Sequence, residues 1–300
     1  MADDIQDPLA LLSEALVRRA GLARSLVAGI AAPGHRLRSG VLLRKDVVVA
    51  SEQAFPDLRE VQVTLADASR FTAQLAGRDP GTNIAALRLD GTPDPAPRAA
   101  EEPRLGTLAV AFAAGEEGLA MRLGAVHSVG PVWHSRAGGR IDRRIMLDMT
   151  LTGREEGGPV LDAGGGLLGM STLGPRGRVL VIPRSTIEDV LEPLLSKGRV
   201  DRGWLGMAVQ PVVVPEALQS ELGQSRGLMV MDLSKGGPAD QADLQVGDIL
   251  VAIGGERLTS PATVAHRLGP DAVGQQIELR VIRSGKLVLL SALVGVRPSQ

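Results

Sequence analysis

Glycine and proline interrupt this chain at short intervals along its whole length. The 300 residues contain 37 glycines and 19 prolines, spread along the sequence instead of clustered. Both residue types end regular segments, glycine through its conformational freedom and proline through its fixed φ and missing N–H. Long helices are therefore disfavoured, and the spacing predicts many short β-strands joined by turns.

Composition narrows the choice of fold and partners. The chain is 44% hydrophobic and 22% charged, as in soluble globular proteins, and its length suits two domains. Aromatic residues make up 2%, so aliphatic side chains must fill the cores. A net charge of -1 without a long basic run argues against nucleic acid or an anionic membrane as a partner. With no cysteine, disulfides, thiol catalysis and cysteine-bound metal are excluded, and we expect no cofactor.

The N-terminal region has the pattern of an amphipathic helix. The apolar stretch 9–16 is interrupted by Ser13 and Glu14, unlike the apolar centre of a secretory signal. We predict a helix over 8–21 with Asp7 as its N-cap and a proline in its first position. No segment is apolar for long enough to span a bilayer. A cytoplasmic location is therefore expected, or a periplasmic one if the chain has been trimmed.

Two groups of strand-like segments follow this helix. The first group comprises 22–31, 40–50, 61–65, 71–76 and 84–89. The second group comprises 107–113, 121–129, 144–149, 158–161, 166–171 and 178–182. A proline-rich connector over 91–103 separates the groups, and a hairpin turn is predicted at 66–69. With a helix over 184–197 capped by Gly198, this layout of five and six segments around a connector predicts two packed barrels, each taken as six-stranded.

A third set of segments begins near residue 199. Strands are predicted at 205–214, 228–233, 249–253, 276–282 and 287–294, with short helices at 238–242 and 261–268. Two-residue turns at 254–255 and 284–285 contain glycine, as tight hairpins require. About one hundred residues with this pattern are enough for an independent β-rich domain.

Short motifs in both regions resemble one known family. Gly203-Trp204-Leu205-Gly206-Met207, Gly236-Gly237-Pro238-Ala239 and Leu244-Gln245-Val246-Gly247-Asp248-Ile249-Leu250 resemble the PDZ domain of HtrA/DegP-type proteases. Ser39-Gly40-Val41, Gly77-Arg78-Asp79-Pro80, Gly157-Gly158-Pro159-Val160 and Val181-Ile182-Pro183 are similar to the HtrA protease domain. The resemblance implies a mainly β fold, a trypsin-like double six-stranded β-barrel followed by a PDZ domain with two short helices. The implied divisions are 1–30, an N-terminal helix and lead-in strand; 31–198, the protease-fold domain; and 199–300, the PDZ domain.

The family cleaves peptide bonds with a serine, a histidine and an aspartate, and this sequence departs from all three. Matching the motifs places Glu52 at the histidine position, Asn83 at the aspartate position and Glu156 at the serine position. Arg154 and Glu155 alter the loop that would form the oxyanion hole. A carboxylate has no hydroxyl proton to lose and repels a developing oxyanion. The resemblance therefore implies a proteolytically inactive member.

Other residues could in principle rebuild a catalytic site. The four histidines, His35, His127, His134 and His266, lie outside any recognisable catalytic context. Ser171 lies at a strand end and is interpreted as structural. If the fold is kept, Glu52 and Glu156 would approach each other near Asn83, where two carboxylates could share a proton or bind a cation. The alternative is a solvated pair or an ion pair with Arg154, and we expect no metal site.

The PDZ resemblance implies a binding groove for peptides or protein C-termini. Such domains add a ligand strand to a sheet edge and bind the terminal carboxylate on backbone N–H groups. The residues expected to form this groove are Trp204, Leu205, Gly206 and Met207 in the loop and Val264, Ala265 and Leu268 on the opposing helix. The alternative is that these apolar side chains only fill the domain core.

The sequence is compatible with three functions. The leading hypothesis is a pseudoprotease that acts as a peptide-binding scaffold or regulator. An active serine endopeptidase with a non-standard site and a chaperone-like binder of unfolded chains are the alternatives. A homo-oligomer or a partner protein is possible, but the first fifty residues lack the aromatic residues with which the family commonly forms trimers.

Overall fold

The computed structural model of the chain describes residues 7–32, 34–54, 59–91, 95, 97–135 and 137–298. The chain divides into two compact units, residues 1–133 with 141–199 and residues 134–140 with 200–300. The predicted connector 91–103 lies partly outside the described residues.

The N-terminal helix begins as the sequence predicts but extends further. Helix α1 spans Pro8–Ala23, and the Asp7 side chain accepts a hydrogen bond from the N–H of Leu9 at its first turn. The predicted strand 22–31 is therefore wrong at its start, because its first residues complete the helix and the turn that follows.

The first barrel is a closed six-stranded sheet. Its strands are β1 Val27–Ala31, β2 Arg38–Arg44, β3 Val47–Ser51, β4 Glu60–Leu65, β5 Arg70–Asp79 and β6 Ile84–Leu89. They are hydrogen-bonded in the order β1-β2-β3-β6-β5-β4, and β4 returns to pair with β1. The predicted single strand 40–50 is instead two strands, because Asp46 adopts φ 59° and turns the chain between them. Aspartate is among the residues that tolerate this left-handed conformation.

The second barrel repeats the closed arrangement. The chain continues through β7 Leu108–Gly115, β8 Gly118–Gly130, β9 Trp133–His134, β10 Arg140–Ile141, β11 Arg144–Thr150, β12 Pro159–Asp162, β13 Leu167–Leu173 and β14 Arg178–Pro183. The barrel order is β11-β14-β13-β12-β7-β8, whereas β9 and β10 pair with each other. Helix α2 spans Arg184–Lys197 and ends at Gly198, whose φ of 75° and bond to the carbonyl of Leu194 confirm the predicted cap.

Aliphatic side chains fill both barrels, as the scarcity of aromatic residues requires. The first core contains Ile30, Leu42 and Val63, and the second contains Leu147 and Val181, all with exposures of 2% or less. Alternate residues of each strand point inward, so short strands of small β-branched and aliphatic residues suffice to close both barrels. The prediction of two six-stranded barrels is confirmed.

The second unit is a smaller β-rich domain. Its elements are β15 Gly203–Trp204, β16 Met207–Val213, α3 Glu216–Leu222, β17 Arg226–Leu233, α4 Pro238–Gln241, β18 Ile249–Ile253, β19 Glu256–Arg257, α5 Pro261–Arg267, β20 Gln276–Arg283, β21 Lys286–Leu293 and β22 Gly295–Val296. The main sheet has the order β16-β17-β18-β20-β21, so β16 is an edge strand. Helix α3 is a third helix that the prediction of two omitted, although Glu216 in its first turn and Gly223 at its end are ordinary helix signals.

A buried ion pair fixes the second unit around Asp248. This residue is 2% exposed, and both its carboxylate oxygens accept from the guanidinium of Arg283, at 2.9 and 2.8 Å. Asp243 accepts from the same guanidinium at 3.0 Å, but its side chain is 73% exposed. The hydrogen bonds that Arg283 donates to Asp248 outweigh desolvation and raise the pKa of Arg283 above its ordinary value.

Removal of the buried carboxylate should destabilise this unit far more than removal of the exposed one. We expect Asp248→Ala to lower the free energy of unfolding by about 2–4 kcal/mol, because it leaves a largely buried guanidinium without its main acceptor. Asp243→Ala should leave the unfolding midpoint near that of the wild type. In a Trp133→Phe background, fluorescence of Trp204 during denaturant unfolding of the full chain reports on this unit. Equal shifts for the two variants would contradict this assignment.

Candidate functional site

Glu156 lies where the two barrels meet, in the loop between β11 and β12. The residue is 4% exposed. Gly157 follows it with φ 95°, and a Cβ there would lie 2.3 Å from the carbonyl oxygen of Ser39. Only glycine permits this approach together with this backbone conformation. The loop therefore lies against β2 and β3 of the first barrel, since the same Cβ would lie 3.3 Å from the backbone nitrogen of Ser51.

Three side chains and one backbone N–H converge on a single oxygen of this carboxylate. Ser51 Oγ lies 2.9 Å and Thr172 Oγ1 lies 2.7 Å from Oε1 of Glu156. The side-chain amide of Gln53 donates to the same oxygen, and the N–H of Leu173 approaches it at 3.4 Å. The donors belong to β3, the 3₁₀ turn Glu52–Ala54 and β13, so the carboxylate connects the two barrels.

Asn83 supports this arrangement from the turn between β5 and β6. Its Oδ1 accepts from the backbone N–H of Gln53 at 2.9 Å, and Ser51 Oγ lies 3.1 Å away. Its Nδ2 donates to Thr172 Oγ1 at 2.8 Å. Asn83 has φ 59°, a conformation that asparagine tolerates better than most residues. The neutral amide therefore orients the donors of Glu156 and carries no charge itself.

The expectation that Glu52 faces Glu156 is wrong. The Glu52 carboxylate accepts from Nε and Nη2 of Arg78, at 2.9 and 2.5 Å. Successive residues of a 3₁₀ helix project about 120° apart, so Glu52 and Gln53 cannot both point at one partner. Gln53 occupies the inward position, and the expected acidic pair is replaced by one carboxylate with amide and hydroxyl donors. Within the described ranges, no group of three or more His, Cys, Asp or Glu residues could hold a metal ion.

The loop before Glu156 is held by its own charged residues. Oε1 of Glu155 accepts from Arg122 at 2.7 Å and Oε2 accepts from the N–H of Thr152 at 2.7 Å. Burial opposes ionisation of Glu155, but the bonds from Arg122 and Thr152 outweigh it and lower the pKa of the carboxyl group. Arg154 pairs with Glu116 at 2.5 Å, so the expected ion pair between Arg154 and Glu156 is not formed. These contacts fix the loop from outside the barrel junction.

The histidines and Ser171 have other partners. His127 lies 2.9 Å from a guanidinium nitrogen of Arg178, and the ring of His134 meets the edge of His266 with centroids 4.4 Å apart. Desolvation, followed by the charges of His266 and Arg140, lowers the pKa of His134. Ser171 is buried and its carbonyl accepts from the N–H of Gly157, in keeping with the structural interpretation.

The second unit has a groove between β16 and α5. A cavity of about 170 Å³ lies there, at one end of the edge strand. Its lining includes the predicted residues Trp204, Gly206, Met207, Val264, Ala265 and Leu268, together with Val209, Pro261, Arg202, Arg297, Ala137 and Gly138. Gly206 has φ 76°, and a Cβ there would lie 3.0 Å from the ring of Trp204. The loop therefore requires glycine where its backbone meets the cavity.

Leu205 is the one predicted groove residue that does not line this cavity. Its side chain is 1% exposed and packs in the domain core with Leu244 and Val294. Its carbonyl accepts from the N–H of Ala239 at 2.8 Å. Successive side chains of an extended segment point to opposite sides, so Leu205 points into the core while its neighbours line the cavity. Leu205 therefore holds the loop in place.

Comparisons with known proteins agree with this architecture. Residues 38–170 match the family of the trypsin-like peptidase domain, and residues 203–294 match the PDZ domain. A protein from Brucella suis biovar 1, named probable periplasmic serine endoprotease DegP-like, is 28% identical over 285 residues. The solved structure of the HtrA-type protease AlgW with a tripeptide superposes with a TM-score of 0.75 at 26% identity. These matches make the chain HtrA-like, with a trypsin-like peptidase domain followed by a PDZ domain.

The extent of these matches differs between relatives and structures. The AlgW structure covers 95% of this HtrA-like chain and 98% of its own chain. The Brucella protein covers 89% of this chain, and a protein of the same name from Pseudomonas putida strain W619 is 29% identical over 274 residues and covers 87%. The chain spans about half the length of these two relatives, 55% and 56%.

The expected cytoplasmic location gains no support. The two DegP-like relatives are named as periplasmic proteins. In the part of the chain that the structure describes, no helix has the length and apolar character needed to cross a membrane.

Sequence reasoning found Asn83 and Glu156 but missed their partners. Gln53 is adjacent to the predicted Glu52, and no local pattern distinguishes the two positions. Ser51 and Thr172 are ordinary polar residues at strand positions, and no local pattern marks them. Only barrel closure brings them to Glu156.

Truncation of Glu156 should destabilise the barrel unit. We expect Glu156→Ala to lower the free energy of unfolding by about 2–4 kcal/mol, because the donors around it lose a buried charged acceptor. Glu188→Ala is the matched control, since Glu188 is 51% exposed and pairs only with Arg184 along α2 in the contacts described, and it should cost less than about 0.5 kcal/mol. Denaturant unfolding followed by Trp133 fluorescence in a Trp204→Phe background measures both. If Glu156→Ala leaves the free energy of unfolding unchanged, the carboxylate does not stabilise the contact between the barrels.

Proposed function

We propose that this chain is a proteolytically inactive HtrA-like protein that binds peptides or protein C-termini in its PDZ groove. It would act as a scaffold or regulator. The observation that carries the proposal is the buried Glu156 carboxylate at the barrel junction, bonded by donors from both barrels. A periplasmic location is part of the proposal, on the strength of the relatives' names.

The proposal of inactivity follows from what the residues at the junction can do. Acyl transfer by this fold needs a hydroxyl nucleophile and a base that takes its proton. Glu156 has no such hydroxyl, and its Oε1 is already surrounded by donors. Gln53, the side chain that meets it, is a neutral amide without a basic nitrogen. Asn83 lacks the negative charge that would support a protonated base.

The binding half of the proposal rests on the groove. An edge strand, β16, faces helix α5 across a cavity that ends at the Gly206 loop and is lined by apolar side chains together with Arg202 and Arg297. A peptide could add to this edge as an antiparallel strand, with its carboxylate on backbone N–H groups of the loop. The AlgW structure was solved with a tripeptide, which supports peptide binding by a protein of this fold.

An active serine endopeptidase is the competing function, because both DegP-like relatives are named as serine endoproteases. We expect the purified chain to leave unfolded casein intact and to show no labelling by a fluorophosphonate, since both reactions need an activated serine. The positive control is a variant with Gln53→His, Asn83→Asp and Glu156→Ser, together with Arg154→Gly and Glu155→Asn in the loop. Serine-directed labelling of the unmodified chain would overturn the proposal.

Obstruction of the groove should abolish peptide binding. Ala265→Glu places a charged side chain in the cavity, and we expect it to weaken binding of C-terminal peptides by at least about tenfold. Ala262→Glu is the matched control: it lies on the same helix, is exposed and does not line the cavity, so binding should be unchanged. Binding by both variants is measured by fluorescence polarisation with the full chain and a pool of labelled peptides that end in an apolar residue with a free carboxylate.

The same samples distinguish the chaperone-like alternative. Suppression of aggregation of an unfolded client protein that persists in Ala265→Glu would favour binding of unfolded chains at another surface. Loss of peptide binding in both variants, or in neither, would contradict the assignment of the groove.

A further inference from the structure

Strand β16 forms the open edge of the sheet, and its backbone directions follow from the strand behind it. The N–H of Val230 in β17 donates to the carbonyl of Asp248, and its carbonyl accepts from Gly247. Both polar groups of Val230 therefore point away from β16. Since Val209 is opposite Val230, this is a non-hydrogen-bonded pair, and the N–H and C=O of Val209 point out of the sheet.

The same alternation continues along the strand. Gln210 is opposite Met229 and points into the sheet, whereas Pro211 is opposite Leu228 and points outward. A proline at an outward position costs the sheet no hydrogen bond, which explains why β16 accepts it. On the other side of Val209, beyond a register shift, the carbonyl of Gly206 accepts from Ser234, so Gly206 points inward and Met207 outward.

The open edge therefore offers an incomplete row of hydrogen-bonding groups. Met207 and Val209 each present an N–H and a C=O to an added strand, but Pro211 presents only a C=O. The cavity also ends before Pro211, because its lining includes Met207 and Val209 but not Pro211. Beyond it, Val213 is 72% exposed.

We propose that Pro211 limits this groove to the last four residues of its ligand. The inference rests on the proposed peptide-binding function. An antiparallel ligand with its terminal residue opposite Met207 places its third residue from the end opposite Val209 and its fifth opposite Pro211. The carbonyl of that fifth residue meets a proline ring where an N–H donor would be, so the paired bonds of the ladder end before it and only the C=O of Pro211 remains as an acceptor. The ligand class is a short, exposed C-terminal tail and not a long extended segment.

The test compares peptide lengths on the full chain. A pool of random nine-residue peptides with free apolar C-termini is selected on the protein, and the tightest sequence is made as nested C-terminal fragments of four, six and nine residues. By fluorescence polarisation, the wild type should bind all three with Kd values within about twofold. Pro211→Ala restores one donor, so it should bind the six- and nine-residue peptides about two- to tenfold more tightly and leave the four-residue peptide unchanged.

Val209→Pro is the matched control. It removes an outward N–H that the short ligand also uses, so it should weaken binding of every length. A thermal unfolding midpoint equal to that of the wild type shows that Val209→Pro is folded. If this variant does not fold, the nested peptides measured on the wild type and on Pro211→Ala still test the limit at Pro211.

The outcomes separate the two proposals. If the wild type binds the nine-residue peptide more than about fivefold more tightly than the four-residue peptide, or Pro211→Ala gains nothing with length, the limit at Pro211 is overturned while PDZ binding stands. If no peptide in the pool binds, the proposed peptide-binding function itself falls.

Discussion

A carboxylate removed from water must be surrounded by donors, and Glu156 meets this requirement only because two barrels close around it. Ser51 and Gln53 come from the first barrel, and Thr172 comes from the second. Asn83 then orients three of those groups. The Glu156 carboxylate therefore connects the two barrels through hydrogen bonds from neutral donors.

The second unit depends on a related constraint. Asp248 is buried beneath Arg283, which ties β20 to the turn before β18. That turn supplies the acceptor and donor for Val230, and Val230 in turn determines which residues of β16 face outward. The backbone N–H and C=O groups that the open edge offers to a ligand are therefore set by the alternation along β16 and β17.

Much of this could be read from sequence, and the failures have physical causes. Asp7, Gly198 and the turn over 66–69 were predictable because helix caps and tight turns depend on local residue types. Glu52 was misplaced because a 3₁₀ turn rotates each residue by about a third of a circle, so an error of one position selects the wrong side chain. Leu205 was misplaced because motif matching does not distinguish the two faces of an extended segment.

The sequence by itself determined the strand-rich architecture and the order of a trypsin-like domain followed by a PDZ domain. These properties depend on residue type and spacing, which are local. Only the tertiary structure decided that Gln53 meets Glu156, that Glu52 pairs with Arg78 and that Pro211 faces outward on an open edge. Those facts depend on barrel closure and strand register, which join residues far apart in the chain.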